Sequence, residues 1–421
     1  MTTFADLGVR PRTVEALRRT SIEHALPVQR DAIPPLLAGR DVVVEAPTGS
    51  GKTLAFLVPL VEKLSGHRAH GARALIVTPT RELASQIAGV LRTVDPALRV
   101  ALLLGGTGYG PQLSALRNSP DVVIGCPGRI LDLAERGVAR FDRVELLVLD
   151  EGDEMLDQGF AHDVERIIAL TPAQGRQSVL ASATMPEWVQ TMIAKHLTDP
   201  ARVTVERESA PLLQHGLVRV GRDERVSMLS ALLHRHGDSA IVFHRTKHGA
   251  AKLARDLARL GHRTCALQGN LSQNARDRAI ADFRNRRADV LVATNVAARG
   301  LDVAHVGLVV NVELPETPQW LTHRVGRTAR NGAEGTALTF LSDDDMEKWR
   351  RLQRLGAPAL RFVDRQALLD SGTLTFLEAP AVPRAQRPQG PQSQQRRRWP
   401  QQGRPAVAGP GRYRGQRRSG R

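Results

Sequence analysis

Two clusters in this chain of 421 residues carry residue types suited to phosphoryl chemistry. The first is Ala46-Pro47-Thr48-Gly49-Ser50-Gly51-Lys52-Thr53. Gly49 and Gly51 let backbone N–H groups turn inward around phosphate oxygens, at the positive end of a following helix. Lys52 is then placed to reach the β- and γ-phosphates of a nucleotide, and the Thr53 hydroxyl to sit on Mg²⁺. The second cluster is Asp150-Glu151-Gly152-Asp153. There Asp150 suits Mg²⁺ held through water, and Glu151 suits a base that orients and deprotonates an attacking water. Each cluster alone has a plainer reading, a Gly-rich turn or a solvated acidic turn.

Context decides between these readings. The glycine loop follows the apolar run from Asp41 and precedes a helical pattern over Thr53–Leu64; the acidic cluster ends the apolar run Val144–Leu149. Carboxylates at the C-terminal end of a buried strand project into the crevice where α/β sheets bind ligands. Further runs rich in Val, Leu and Ile occur at Ala74–Thr78, Val100–Leu104, Asp121–Gly125 and Ser178–Ser182. A second series follows at Ser239–His244, Arg263–Leu267, Asp289–Ala293, Gly307–Val312 and Gly335–Leu341. Helical patterns such as Arg81–Val94 and Gly249–Leu260 separate the runs, so the chain reads as two α/β domains with mainly parallel sheets. The expected boundaries are 1–205 and 215–378, joined by a polar linker over 206–214.

Composition agrees. The chain is 42% apolar, 24% charged and only 4% aromatic, which suits aliphatic buried strands better than an aromatic-rich sandwich. Two distant cysteines, Cys126 and Cys265, argue against a disulfide framework or zinc site and for a reducing, cytoplasmic setting. No signal-like N-terminus or spanning apolar run occurs. Of the formal net charge of +16, eleven units come from arginines between Arg384 and Arg421, a stretch without Lys, Asp or Glu. This segment, 379–421, is rich in Arg, Gln, Pro and Gly and is expected to be disordered.

Several further motifs stand in order: Pro79-Thr80-Arg81-Glu82-Leu83-Ala84, Gly105-Gly106, Pro127-Gly128-Arg129, Ser182-Ala183-Thr184, Gln268-Gly269, Ala298-Arg299-Gly300-Leu301-Asp302 and His323-Arg324-Val325-Gly326-Arg327-Thr328-Ala329-Arg330. With the two clusters above, they make the chain resemble the DEAD-box RNA helicases from about Phe4 to about Leu341. The resemblance implies two tandem RecA-like domains, ATP and Mg²⁺ as the nucleotide and its ion, and RNA as partner. It assigns Gln29 to the adenine edge, Ala46 and Thr48–Thr53 to the phosphates, and Asp302 to the ribose. Lys52, Asp150 and Glu151 become catalytic, with Arg327 and Arg330 as arginine fingers from the second domain. The three-residue spacing of those arginines suggests a shared helical surface. Asp153, Ser182, Thr184 and His323 are assigned to coupling between hydrolysis and unwinding.

On the RNA side the resemblance selects Pro79, Thr80, Arg81, Gly106, Gly128 and Arg129 in the first domain, and Gln268, Gly269 and Thr294 in the second. Few of these can read base edges, so backbone recognition without sequence preference is expected. Departures from the family pattern are Ile22, Ala25 and Leu26 where an aromatic and Pro-Thr are usual, Gly152 for alanine, Cys126 for threonine and Ala329 for glycine. The tail suits an electrostatic tether for RNA, with a solubilising tail as the bland alternative. The expected activity is RNA-dependent ATP hydrolysis with local unwinding, by a monomer without membrane attachment, in settings such as ribosome assembly or RNA decay. An ATP-gated RNA clamp that unwinds little, a non-enzymatic chaperone and a DNA helicase are the rival readings.

Overall fold

The computed structural model describes residues 2–47, 49–66, 70–205, 213–295, 303, 305–329 and 333–377. Thr48, Asp302, Arg330, most of the expected linker and the basic tail lie outside these residues. The first half of the chain builds a seven-stranded parallel sheet from β1 (Val42–Glu45), β2 (Ala74–Val77), β3 (Val100–Leu103), β4 (Val122–Gly125), β5 (Leu146–Asp150), β6 (Gln177–Ser182) and β7 (Ala201–Thr204). Its strand order is β3-β4-β2-β5-β6-β1-β7. The second half builds a six-stranded parallel sheet from β8 (Leu213–Arg219), β9 (Ser239–Phe243), β10 (Thr264–Leu267), β11 (Val290–Ala293), β12 (Val306–Asn311) and β13 (Gly335–Leu341), ordered β10-β11-β9-β12-β13-β8.

Both faces of each sheet are covered. In β1, Val42 and Val44 enter one apolar cluster while Val43 enters another; in β9, Ala240 and Val242 separate in the same way from Ile241 and Phe243. Side chains alternate across a strand, so a strand apolar at every position needs helices above and below. Those helices are locally specified. The helix Arg81–Val94 begins at Thr80, whose hydroxyl accepts the Leu83 N–H at 3.3 Å, and has Glu82 in its first turn and Arg92 in its last.

Two strands escaped the sequence reading, β7 and β8. Both lie at sheet edges; β7 has a single buried residue, and β8 has the polar Gln214 and His215 before its buried Gly216, Leu217 and Val218, so neither shows a long apolar run. Leu213 and Gln214, expected in the linker, open β8, where they lie beside Gly335 and Thr336 of β13. The helical surface expected for Arg327 is also corrected, whereas Arg330 lies outside the described residues. The helix Pro318–Val325 stops at Gly326, and Arg327 lies beyond it in a turn. The Thr328 hydroxyl donates to the Val306 carbonyl at 2.5 Å and Ala329 adopts φ 53°, so the chain turns away rather than winding on.

Candidate nucleotide and RNA site

Strand order brings the chemistry together. β5, β6 and β1 are neighbours, and their C-terminal ends carry Asp150, Ser182 and Glu45 in adjoining registers: Asp150 pairs with Ala181, and Glu45 with Ser182. The Ala46 N–H then donates to the Ser182 carbonyl at 3.1 Å. The glycine loop, the acidic cluster and Ser182-Ala183-Thr184 therefore occupy one sheet edge, the position where open α/β sheets bind ligands.

Within the loop, Gly49 and Gly51 take φ of 85° and 94°, a left-handed conformation that glycine adopts without strain. Gly51 has a second constraint, because a Cβ there would come within 2.6 Å of Gln29 Nε2. Gln29 is buried and ties the loop down: its Nε2 donates to the Gly51 carbonyl at 3.1 Å, and its Oε1 accepts the Leu26 N–H at 2.9 Å. Each end of that amide retains one N–H or lone pair, the pair needed to face an adenine edge. Lys52 is buried and donates to the Ala46 and Pro47 carbonyls at 2.5 and 3.0 Å. Burial lowers its pKa, against the opposing pull of Asp150, Glu151 and Asp153.

The carboxylates are held with little compensation. Burial, and next the charge of Glu151, push Asp150 up to about 7. Glu151 has φ 53°, a left-handed value that is uncommon for a side-chain residue, and donates its N–H to Asp150 Oδ1 at 3.0 Å. Glu151 Oε2 and Ser50 Oγ are buried without a hydrogen-bond partner among the described residues. Desolvated acid beside orphaned polar atoms is a donor set that fits a cation and a polyphosphate. Asp153, by contrast, is fully engaged. It accepts the Thr184 N–H and hydroxyl at 2.9 and 2.8 Å, its own N–H donates to Ser182 Oγ at 3.1 Å, and His323 Nε2 stands 3.8 Å away.

The second half reaches the same cleft. Arg327 lines it together with Gln29, Gly51, Lys52, Thr53, Asp150 and Glu151, and its Nε donates to the His323 carbonyl at 3.2 Å. Leu26 and Ile22 line the end near Gln29, so aliphatic side chains stand where a base would lie. Phe4 is packed in the apolar core of the first half.

A separate groove joins Pro79, Thr80, Arg81, Gly128 and Arg129 of the first half to Gly269 of the second. Gly106 leaves room for Arg81, whose Nη2 would stand 2.6 Å from a Cβ there. Arg129 is steadied by Asp132 at 3.4 Å and by the Tyr109 ring, 4.3 Å from its guanidinium carbon. Gln268 and Thr294 are buried at the ends of the adjoining strands β10 and β11 rather than open to the groove, Gln268 accepting the Asn270 N–H at 2.6 Å. Cys126 lines the groove, with burial pushing its thiol up to about 12.

Sequence reasoning missed the bonds between the halves. Arg276 makes a buried ion pair with Glu82, its Nη2 at 2.6 Å, across 194 residues of sequence. Arg81 donates to Gln273 Oε1 at 3.2 Å and Trp320 Nε1 to Asp157 at 3.1 Å. Gln273 and Arg276 share one helical face by spacing, but nothing in that spacing names a partner so remote. Arg324 has no role by resemblance. It is buried and donates to Asn295, Asn311 and the Glu313 carbonyl, tying the segment that carries Arg327 to the second sheet.

Fold and site together define a phosphate-loop α/β protein in which residues from both sheets' surroundings line one cleft. Residues 26–192 match the DEAD/DEAH box helicase family and residues 224–332 the helicase conserved C-terminal domain. The chain is 40% identical over 362 residues to the mitochondrial DEAD-box ATP-dependent RNA helicase 9 of Arabidopsis thaliana, covering 83% of this chain and 59% of that protein. It is 39% identical over 371 residues to the ATP-dependent RNA helicase CshA of Listeria monocytogenes, covering 85% of this chain and 71% of that protein. Among solved structures it is similar to S. cerevisiae Dbp5 bound to RNA and ADP BeF3, with TM-score 0.77 and 28% identity over 87% of this chain and 97% of that one. The chain belongs to the DEAD-box RNA helicase family.

Proposed function

We propose that this protein is an RNA-dependent ATPase that hydrolyses ATP between its two halves and locally unwinds or remodels RNA. The observation that carries the reading is the shared cleft, in which Arg327 from the second half joins Lys52, Asp150 and Glu151 from the first. In the proposed mechanism Gln29 faces the adenine edge, while Gly49, Ser50 and Gly51 surround the phosphates. Lys52 exchanges its loop carbonyls for phosphate oxygens. Thr53 and Asp150 would hold Mg²⁺, which neutralises phosphate charge when bound. Glu151 Oε2, buried and unbonded among the described residues, accepts a proton from the attacking water. Arg327 stabilises charge on the departing phosphoryl group.

RNA is the second requirement. The groove between Thr80, Arg81 and Arg129 on one side and Gly269 on the other suits a phosphate backbone that touches both halves. A strand lying there favours the same closed arrangement that completes the nucleotide cleft, so ATP and RNA raise each other's affinity by linkage. His323 beside Asp153, itself bonded to Thr184, supplies a path between cleft and domain arrangement. Thr48, Asp302 and Arg330 keep the roles that the resemblance implies. The protein acts as a monomer in the cytoplasm, a setting consistent with two free cysteines; no helix among the described residues is long and apolar enough to cross a membrane.

The test is ATP hydrolysis with and without single-stranded RNA, run beside Glu151→Gln. Stimulation by RNA that vanishes in the variant is expected. Turnover indifferent to RNA would refute coupling between the halves, and RNA-stimulated turnover without strand separation would reassign the protein as an ATP-gated clamp.

A further inference from the structure

A second concave surface lies wholly in the second half and shares no residue with the nucleotide cleft. Five cations line it: Arg222, Arg225, Arg245, Lys252 and Lys348. Three carboxylates lie among them, and each is already engaged. Asp256 accepts from Arg259 at 2.9 Å, Asp345 stands 2.5 Å from Arg225, and Glu313 accepts the Arg245 backbone N–H at 2.9 Å beside His244. Arg222 and Lys348 are neutralised from outside the cavity by Asp344 at 3.3 Å and Glu316 at 2.8 Å.

Three donors are left over. The exposed side chains of Arg245 and Lys252 enter no ion pair among the described residues, and the buried Nε of Arg225 has no acceptor among them. Leaving a guanidinium N–H dehydrated and unbonded is unfavourable, and an oxyanion in the cavity removes that penalty. Arginine forks with a lysine point charge match phosphate in particular.

We infer that this cavity binds a phosphate group, carried by an RNA strand that continues beyond the groove at Gly269. The route follows from one helix. Lys247–Arg259 sends Gly249 and Lys252 into the cavity, while on its other side a Cβ on Gly269 would meet Lys247 Cε at 3.0 Å. The N-terminus of that helix thus separates the groove from the cavity, and its positive end lies along the path between them. The proposal rests on the RNA reading above. A small phosphate anion offers the same oxygens, so the experiment separates the two sources.

The full-length protein is compared with Arg245→Gln/Lys252→Gln and Arg245→Glu/Lys252→Glu, both positions being exposed, after equal melting temperatures confirm folding. Binding of labelled oligouridylate of about 6 and about 20 nucleotides is measured with a non-hydrolysable ATP analogue across a salt series. Affinity of the reversal variant for the long strand should fall about tenfold and its salt slope by about 0.7 to 1.4, as for one or two phosphates, while the short strand changes less than twofold. A third arm measures thermal stabilisation by pyrophosphate at low salt. Loss of that stabilisation with long-strand binding intact assigns the cavity to a small phosphate anion. No change in either arm overturns the inference. A wild-type protein that binds neither strand defeats the RNA reading itself, and the pyrophosphate arm then decides the cavity alone.

Discussion

The two sheets use the same edge in opposite ways. At the C-terminal ends of β5, β6 and β1 the first half gathers buried charge that its own residues leave poorly compensated: Asp150 is raised to about 7 and Glu151 is held at φ 53°. At the C-terminal ends of β10, β11 and β9 the second half presents Gln268, Thr294 and His244, which are uncharged or bonded nearby. One edge gathers poorly compensated carboxylates, which suits a reacting phosphate; the other sets neutral side chains beside cations, which suits docking of a phosphate backbone. The consequence is division of labour. Glu151 should limit chemistry, and the contacts between halves should limit coupling.

The largest expected effect breaks the chemical edge alone. Glu151→Gln keeps the shape and removes the proposed base, so ATP turnover should fall about 10³-fold with RNA affinity retained. A steady-state assay with a parallel RNA titration checks both. A comparable loss of RNA affinity would mean that the edges are not separable in this way.

Next comes the bond between the halves. Arg276→Ala leaves Glu82 buried and unpaired in the closed arrangement, at a cost of about 3 kcal/mol or more. RNA stimulation of turnover should therefore drop roughly a hundredfold, while nucleotide binding to the first half is unchanged. Adding Glu82→Gln removes the stranded charge and should recover part of the loss. A double-mutant cycle reads the coupling directly.

Two glycines then sharpen the contrast. Gly51→Ala drives a methyl into Gln29 at a left-handed position, and Gly106→Ala drives one into Arg81. With roughly 1–3 kcal/mol of strain at each such position, the first should raise KM for ATP about tenfold and leave RNA affinity alone. The second should do the reverse. Crossed effects would locate Gln29 or Arg81 on the wrong side of the comparison.

How far these features were readable from sequence depends on what burial does to a pattern. Central strands such as β1 and β5 are apolar up to a final carboxylate and announce themselves, whereas the edge strands β7 and β8 are broken by polar residues and do not. Local motifs were legible because loop, strand end and helix start are contiguous: Gly49 through Thr53 needs no remote partner. Arg276 with Glu82 was not legible, since their meeting depends on the arrangement of two sheets. Spacing misled once, when Arg327 was given a helical surface that Gly326 and the Thr328 hydroxyl prevent.

The smallest expected effects come from two substitutions, one in each half. Gly152 stands where the family has alanine, and Ala329 where it has glycine. Gly152 begins a helix outside the left-handed region, and a Cβ there meets Leu180 at an ordinary 3.6 Å. Gly152→Ala should thus raise stability by about 0.4–1 kcal/mol by restricting the unfolded chain. Ala329 holds φ 53°, where a Cβ is strained and glycine is not. Ala329→Gly should stabilise by about 1 kcal/mol through the folded state. Thermal or urea melts of both single variants and the double variant test this, with additive gains expected because the changes lie in separate sheets' surroundings. A loss in Ala329→Gly would mean that the turn after Val325 depends on the methyl group, and the strain reading of that turn would fall.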